Sequence, residues 1–135
     1  NLKKFKNVSL DTKDFDISFV RGLSLEDGAA TLTSYTAKII SSNILSFLEK
    51  FKNKKIKILI CGGGRKNFNL INQIENNSPS NLIFHKSEDY GLNGDFVESQ
   101  AFGYLAIRSL LSLPISFPKT TRCSRPSIGG EIIDF

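Results

Sequence analysis

Residues 56–64 read IKILICGGG, and this stretch decides the fold of the chain. Its first five residues form an apolar run, interrupted only by Lys57, and predict a strand covered on both faces. Three glycines follow after Cys61. Because glycine has no Cβ, it adopts positive φ values and lets a ligand approach the backbone closely. A strand-to-helix turn also favours glycine for steric reasons, so the triplet alone leaves a plain turn and a ligand-binding loop equally open.

A long helix is predicted before this strand. Ser24 and Asp27 have the spacing of a capping box, and apolar residues then recur at steps of three and four. We therefore predict a helix from Ser24 to about Lys52 with one buried stripe. The stripe consists of Ala29, Leu32, Tyr35, Ile39, Ile40, Ile44, Phe47, Leu48 and Phe51.

Two further helices and a second strand are predicted after the glycines. Asn67 is a residue type that caps helices, and the helix it precedes has Phe68, Ile71 and Ile74 on one side. Residues 82–84 predict the second strand, residues 85–93 a polar loop, and residues 94–113 a third helix ended by Pro114.

This order of elements, helix, strand, helix, strand, helix, predicts an α/β fold. The strands should be parallel, with ligands bound at their carboxyl ends. Two strands are few for a free-standing sheet, so residues 15–20 are a candidate for a third strand.

Composition and length limit the chain to one domain or a part of one. With 135 residues, 40% hydrophobic and 23% charged, it can bury one core of ordinary size. No apolar run is long enough for a membrane span or a secretion signal, so we expect a cytoplasmic protein without a membrane partner. Cys61 and Cys123 have no metal-binding or disulfide spacing and are interpreted as reduced thiols.

The net charge of +5 comes largely from two groups of lysines. They are Lys3, Lys4 and Lys6, and Lys50, Lys52, Lys54, Lys55 and Lys57. Neither group alternates with aromatic side chains that could stack on bases, and lysines at a helix end also stabilise its negative pole. We therefore predict no nucleic-acid partner.

Four ordered blocks, spread over nearly the whole chain, carry a resemblance to a known family. They are residues 22–33 (GLSLEDGAATLT), residues 61–64 (CGGG) with Asn67, residues 89–102 with Asp89-Tyr90-Gly91, Gly94-Asp95, Glu98 and Ala101-Phe102, and a tail with Thr120-Thr121, Arg125-Pro126 and Gly129-Gly130. In residue type and spacing they resemble the C-terminal portion of anhydro-N-acetylmuramic acid kinase. Asn93 and Ser99 stand where that family usually has proline and alanine, which leaves the expected fold unaffected.

The resemblance implies an ATP-dependent enzyme of peptidoglycan recycling and amino sugar metabolism. With ATP, Mg²⁺ and water, it would open 1,6-anhydro-N-acetylmuramic acid and phosphorylate it to N-acetylmuramic acid 6-phosphate. The implied fold is two-lobed and similar to actin, hexokinase and Hsp70, a ribonuclease H-like architecture with ATP between the lobes. Residues 1–135 would be the C-terminal nucleotide-binding lobe. The phosphate-binding loop and catalytic aspartate would belong to an N-terminal lobe absent from this chain.

The resemblance also implies site residues. Gly62, Gly63 and Gly64 would lie beside ATP, with Asn67 opening the helix whose N-terminal amides face the same cleft. For Asn67, a plain helix cap is an equally good interpretation. Glu98 would contact the sugar, although its spacing from Asp95 also fits a capping box.

Other polar residues are weaker candidates. His85, the only histidine, has no nucleophile pattern around it and is interpreted as a structural residue at a strand end. Arg122 and Arg125 could meet a phosphate or a carboxylate, but we favour a surface tail that contacts the missing lobe.

Two functional hypotheses follow. Because the chain starts at Asn1 and half of a kinase site cannot transfer phosphate, we expect a piece of a longer enzyme, inactive alone and inclined to self-associate or form a homodimer. The alternative is a non-catalytic nucleotide-binding remnant or interaction module. A dinucleotide-dependent oxidoreductase is disfavoured, because the glycines lack the G-x-G-x-x-G spacing.

Overall fold

The computed structural model describes residues 12–48 and 54–133. The chain divides into two compact units, Asn1–Gly94 and Asp95–Phe135. The first unit contains helix α1 (Leu25–Leu48), strand β1 (Ile56–Ile60), helix α2 (Phe68–Asn76) and strand β2 (Leu82–Lys86), and the second contains helices α3 (Val97–Leu110) and α4 (Pro118–Thr121). The predicted α/β class and the order of the major elements are confirmed.

Helix α1 begins as its capping pattern predicts. The backbone N–H of Asp27 donates to Ser24 Oγ at 3.0 Å, which satisfies an amide that has no partner within the helix. The buried residues of α1 are Ala37, Ile39 and Ser41. The predicted stripe is too long at both ends, since Ala29 is exposed and Phe47 is 74% exposed. The last residue of the stripe, Phe51, and the predicted end near Lys52 lie outside the described residues.

Strands β1 and β2 form a parallel pair, as predicted. Ile56 pairs with Leu82, and the register continues to Ile60 opposite Lys86. The second strand is longer than the sequence predicts, because it includes His85 and Lys86 as well as residues 82–84. These two polar residues extend the strand because pairing uses the backbone, which does not depend on side-chain polarity.

The prediction that the strands are covered on both faces is wrong for the part of the chain that the structure describes. Burial along β1 alternates, and Lys57 and Leu59 are exposed. Because successive side chains of a strand point to opposite faces, one face of the pair is covered more than the other. The buried apolar residues of this unit are Ala37, Ile39, Ile74 and Leu82.

Residues 15–20 do not form a third strand. The structure has short 3₁₀ helices at Thr12–Asp14 and Ser18–Val20 instead. The backbone N–H of Ser18 donates to Asp16 Oδ1 at 2.8 Å, a local bond that competes with strand pairing. The Phe19 ring then packs against Tyr35 of α1, with ring centroids 5.0 Å apart.

The second unit is built around α3. This helix ends at Leu110, before the predicted stop at Pro114, and Ser112 takes a positive φ of 53° in the turn that follows. Arg108 Nε donates to the Pro114 carbonyl at 2.7 Å and holds this turn. A short antiparallel bridge joins Ser116 and Ser127. Within the described residues no helix is both long and apolar enough to cross a membrane.

Candidate nucleotide-binding site

The glycine loop lies at the carboxyl end of β1. Gly62 has φ 78° and ψ 174°, so the predicted positive φ occurs at this one of the three glycines. A short 3₁₀ helix, Gly63–Lys66, follows it, which the sequence analysis did not predict. Among the described residues, a Cβ placed on Gly63 would have no atom within 4 Å, and one on Gly64 would only touch Leu70 at 4.0 Å. The two glycines therefore border open space that a ligand could enter.

Asn67 caps helix α2. Its side-chain Oδ1 accepts a hydrogen bond from the backbone N–H of Leu70 at 3.0 Å. The capping interpretation of Asn67 is thus confirmed. A contact between Asn67 and a nucleotide stays a prediction.

An ion pair joins the glycine loop to the loop that follows β2. The Arg65 guanidinium contacts Glu88 Oε1 through Nε at 2.8 Å and through Nη2 at 2.6 Å. Its Nη1 donates to the Gly62 carbonyl at 2.9 Å. Glu88 lies in a 3₁₀ helix, Ser87–Tyr90, that ends at the left-handed Gly91. The pair therefore ties together the loops at the carboxyl ends of both strands.

Backbone groups complete this connection. The N–H of Gly62 donates to the Gly94 carbonyl at 2.9 Å, and the N–H of Gly94 donates to Glu88 Oε1 at 3.3 Å.

Sequence reasoning placed Glu88 in a loop near the site but did not single it out, and it missed Arg65. The one available signal was position, since both residues follow the carboxyl ends of parallel strands.

The Glu88 carboxyl should titrate at unusually low pH. The hydrogen bond from Arg65, helped by backbone amides, lowers the pKa of Glu88 from its ordinary 4.5 to about 2. Since the folded-state pKa is depressed, the stabilisation by the pair is complete above about pH 4.5 and is lost as the pH falls toward 2. NMR titration of the Glu88 side chain in the folded protein should give a midpoint near 2. A midpoint near 4.5 would show that the pair is broken in solution.

Glu98 lies in the first turn of α3 and belongs to the second unit. The N-cap residue of this helix is Phe96, whose side chain makes no capping hydrogen bond. The predicted capping box of Asp95 and Glu98 is therefore not formed. Glu98 is exposed, and its role as a sugar ligand stays a prediction.

The remaining candidates occupy structural or surface positions. His85 is part of β2, with its ring edge-on to Tyr90 at a centroid distance of 5.5 Å. Cys61 is exposed and Cys123 is half-buried, and both are free thiols. Arg122 and Arg125 are exposed. In residues 12–48 and 54–133, no group of three or more His, Cys, Asp or Glu side chains could hold a metal ion.

Comparisons with known proteins agree on one family. The family model of anhydro-N-acetylmuramic acid kinase matches residues 4–134. An anhydro-N-acetylmuramic acid kinase of Pelagibacter ubique is 50% identical over 133 residues, which cover 98% of this chain and 36% of the relative. Kinases of the same name from Zymomonas mobilis and Rhizobium rhizogenes are 44% and 39% identical, over 92% and 93% of this chain and 32% of each relative.

The chain thus spans about a third of the length of these relatives. The match extends over almost every residue from the lysine-rich start to the end of the tail, and it includes the glycine loop, both strands and α3. The resemblance predicted from the four sequence blocks is confirmed. This chain belongs to the anhydro-N-acetylmuramic acid kinase family.

Proposed function

We propose that this chain is the C-terminal, nucleotide-binding lobe of a kinase with the actin-like and hexokinase-like fold. In the complete natural protein it would use ATP and water to open 1,6-anhydro-N-acetylmuramic acid and form N-acetylmuramic acid 6-phosphate for cell-wall recycling. Family membership supports the kinase chemistry. The contribution of this chain is inferred from its own geometry.

One observation carries the proposal: an open glycine loop at the carboxyl end of a parallel strand. Ligands of α/β folds bind at this edge of the sheet, where loops converge. Among the described residues, a Cβ on Gly63 would meet no atom within 4 Å and one on Gly64 only Leu70 at 4.0 Å, so a nucleotide could approach the backbone there. Neither glycine needs a positive φ, so avoiding strain does not explain why these positions lack a side chain.

The residues of this chain would position the nucleotide rather than move protons. Gly63 and Gly64 would line the ATP site. Gly62, with its positive φ, would direct the backbone from β1 into that site. Asn67 would order α2 by its cap, so that the first amides of the helix keep their direction toward the site. ATP supplies the phosphoryl group when bound.

The described residues form no group of three or more His, Cys, Asp or Glu side chains that could hold Mg²⁺ without a nucleotide. Mg²⁺ in kinases is held largely by substrate phosphates and by one or two carboxylates. We assign no metal ligand among the described residues. A missing N-terminal lobe would supply the carboxylates, the phosphate-binding loop and the general base.

The sugar and the remaining partners follow from the same assignment. Glu98 is the proposed sugar ligand, since it is exposed at the start of α3 and makes no capping bond that would occupy its carboxylate. A homodimer of the complete protein is proposed as well. Because the reaction consumes ATP, the cytoplasm is the proposed location.

The test is ATP-dependent phosphorylation of 1,6-anhydro-N-acetylmuramic acid, assayed with this chain and with the complete natural protein that contains it. We expect product from the complete protein and none from the chain alone, because the phosphate-binding loop and the general base are assigned to the N-terminal lobe. A folded complete protein that gives no product would contradict the kinase assignment and favour a non-catalytic remnant. Product from the chain alone would contradict the proposal that an N-terminal lobe supplies the phosphate-binding loop and the general base.

A further inference from the structure

Arg65 is the most deeply buried charged group at the candidate site. Its side chain is 8% exposed, whereas that of Glu88 is 42% exposed. Removing a guanidinium from water is costly unless its donors find partners. The partners of Arg65 include one carboxylate oxygen of Glu88 and the carbonyl of Gly62, which lies in the same glycine loop.

These bonds belong to a closed circuit between the two loops. Arg65 donates to Gly62 and to Glu88, Glu88 accepts from the Gly94 amide, and the Gly94 carbonyl accepts from the Gly62 amide. Both backbone polar groups of Gly62 are therefore engaged inside the protein. The loop after β1 cannot shift without breaking a bond to the loop after β2.

The circuit is closely packed around Gly94. A Cβ at this position would lie 2.5 Å from Arg65 Nε and 2.7 Å from Ser87 Oγ, which is closer than real atoms approach. Gly94 itself is buried. The Arg65 side chain is therefore packed directly against the backbone of Gly94, which leaves no room for a side chain at that position.

The engagement of Gly62 limits what the glycine loop can offer a nucleotide. Its N–H already donates to Gly94, so Gly62 has no amide hydrogen left for a phosphate. The backbone of Gly63 and Gly64 remains for contact with the ligand, and its orientation depends on how the Gly62 peptide is held.

We propose that Arg65 and Glu88 are positioning residues that fix the glycine loop in the orientation that binds ATP. This inference rests on the proposed function and deepens it. Neither residue is a catalytic residue, since Arg65 is turned inward to the loop and acts through Gly62. The pair sets the affinity for the nucleotide and leaves phosphoryl transfer and the sugar site to other groups.

The test compares steady-state kinetics of the complete natural protein with those of Arg65→Lys, Glu88→Gln and the double variant. Lysine keeps the charge but lacks the planar fork that reaches Gly62 and Glu88 together. We expect each single variant to raise the KM for ATP about tenfold, and to change kcat and the sugar KM by less than about threefold. Because both residues act through one circuit, the double variant should be no worse than the poorer single variant.

Glu75→Gln is the matched control, since Glu75 is an exposed carboxylate of α2 in the same unit. It should leave all three constants unchanged. Thermal unfolding of each variant checks that the fold is retained. Glu88→Gln keeps the shape of the side chain and remains informative even if Arg65→Lys does not fold.

The outcomes separate this inference from the proposed function. If the unsubstituted protein neither binds ATP nor phosphorylates the sugar, the proposed function and the positioning role of the pair are both contradicted. If it does, but the folded variants match Glu75→Gln, only the positioning role of the pair is overturned. A loss confined to kcat, or additive effects in the double variant, would overturn it as well.

Discussion

Replacing Gly63 by valine is expected to weaken ATP binding by about tenfold to a hundredfold while leaving the fold intact. The fold should survive because Gly63 has no positive φ and its Cβ would meet no atom within 4 Å. The same open space is where the nucleotide is proposed to lie, so a branched side chain would occupy the path of the ligand. Equilibrium ATP binding to the complete natural protein, measured by calorimetry, checks the prediction.

Gly28→Val provides a matched control. Gly28 lies in α1, and its Cβ also would meet nothing within 4 Å. The chemical change is the same, but Gly28 belongs neither to the glycine loop nor to the loop after β2, and we expect unchanged ATP affinity. If Gly63→Val and Gly28→Val bind ATP with equal affinity, the glycine loop does not contact ATP.

Replacing Ile74 by alanine should lower the free energy of unfolding by about 3 kcal/mol. Ile74 is 5% exposed and is the buried residue of α2, which packs against α1. The Ser41 hydroxyl of α1, itself 2% exposed, donates to the Ile74 carbonyl at 3.2 Å, so the two helices have little freedom to close a cavity. Urea unfolding, followed by circular dichroism, gives the free energy.

The conservative variant Ile74→Val is the control for this second prediction. It removes one methylene and should cost about 1 kcal/mol, since most of the contact surface remains. A graded loss from valine to alanine is the expected pattern for a buried aliphatic site. Equal stabilities of all three proteins would show that α1 and α2 do not pack through Ile74.

Local chemistry explains which parts of the fold the sequence could predict. Ser24 and Asn67 are capping residue types whose effect depends on neighbours three residues away, and both cap as predicted. The apolar run from Ile56 predicts β1 for the same reason. The candidate third strand at residues 15–20 is not formed, because the bond between Asp16 and Ser18 forms a turn that apolar content does not reveal.

Contacts between distant residues explain what the sequence could not predict. Arg65 and Glu88 are 23 positions apart, and nothing in either residue type specifies the other as its partner. Their pairing depends on the register of β1 and β2, which places the ends of the two strands side by side. The exposure of Lys57 and Leu59 likewise depends on which elements cover the sheet, and residue hydrophobicity does not determine this.

The parallel pairing of β1 and β2 has a consequence for the order of folding. Each paired residue meets a partner 26 positions along the chain, so the intervening segment must close as a loop before any ladder bond forms. Helix α2 lies inside that segment and shortens it when it folds, so its Asn67 cap should promote strand pairing. We therefore expect the glycine loop to acquire its final shape late, after α2 has formed and β2 has docked.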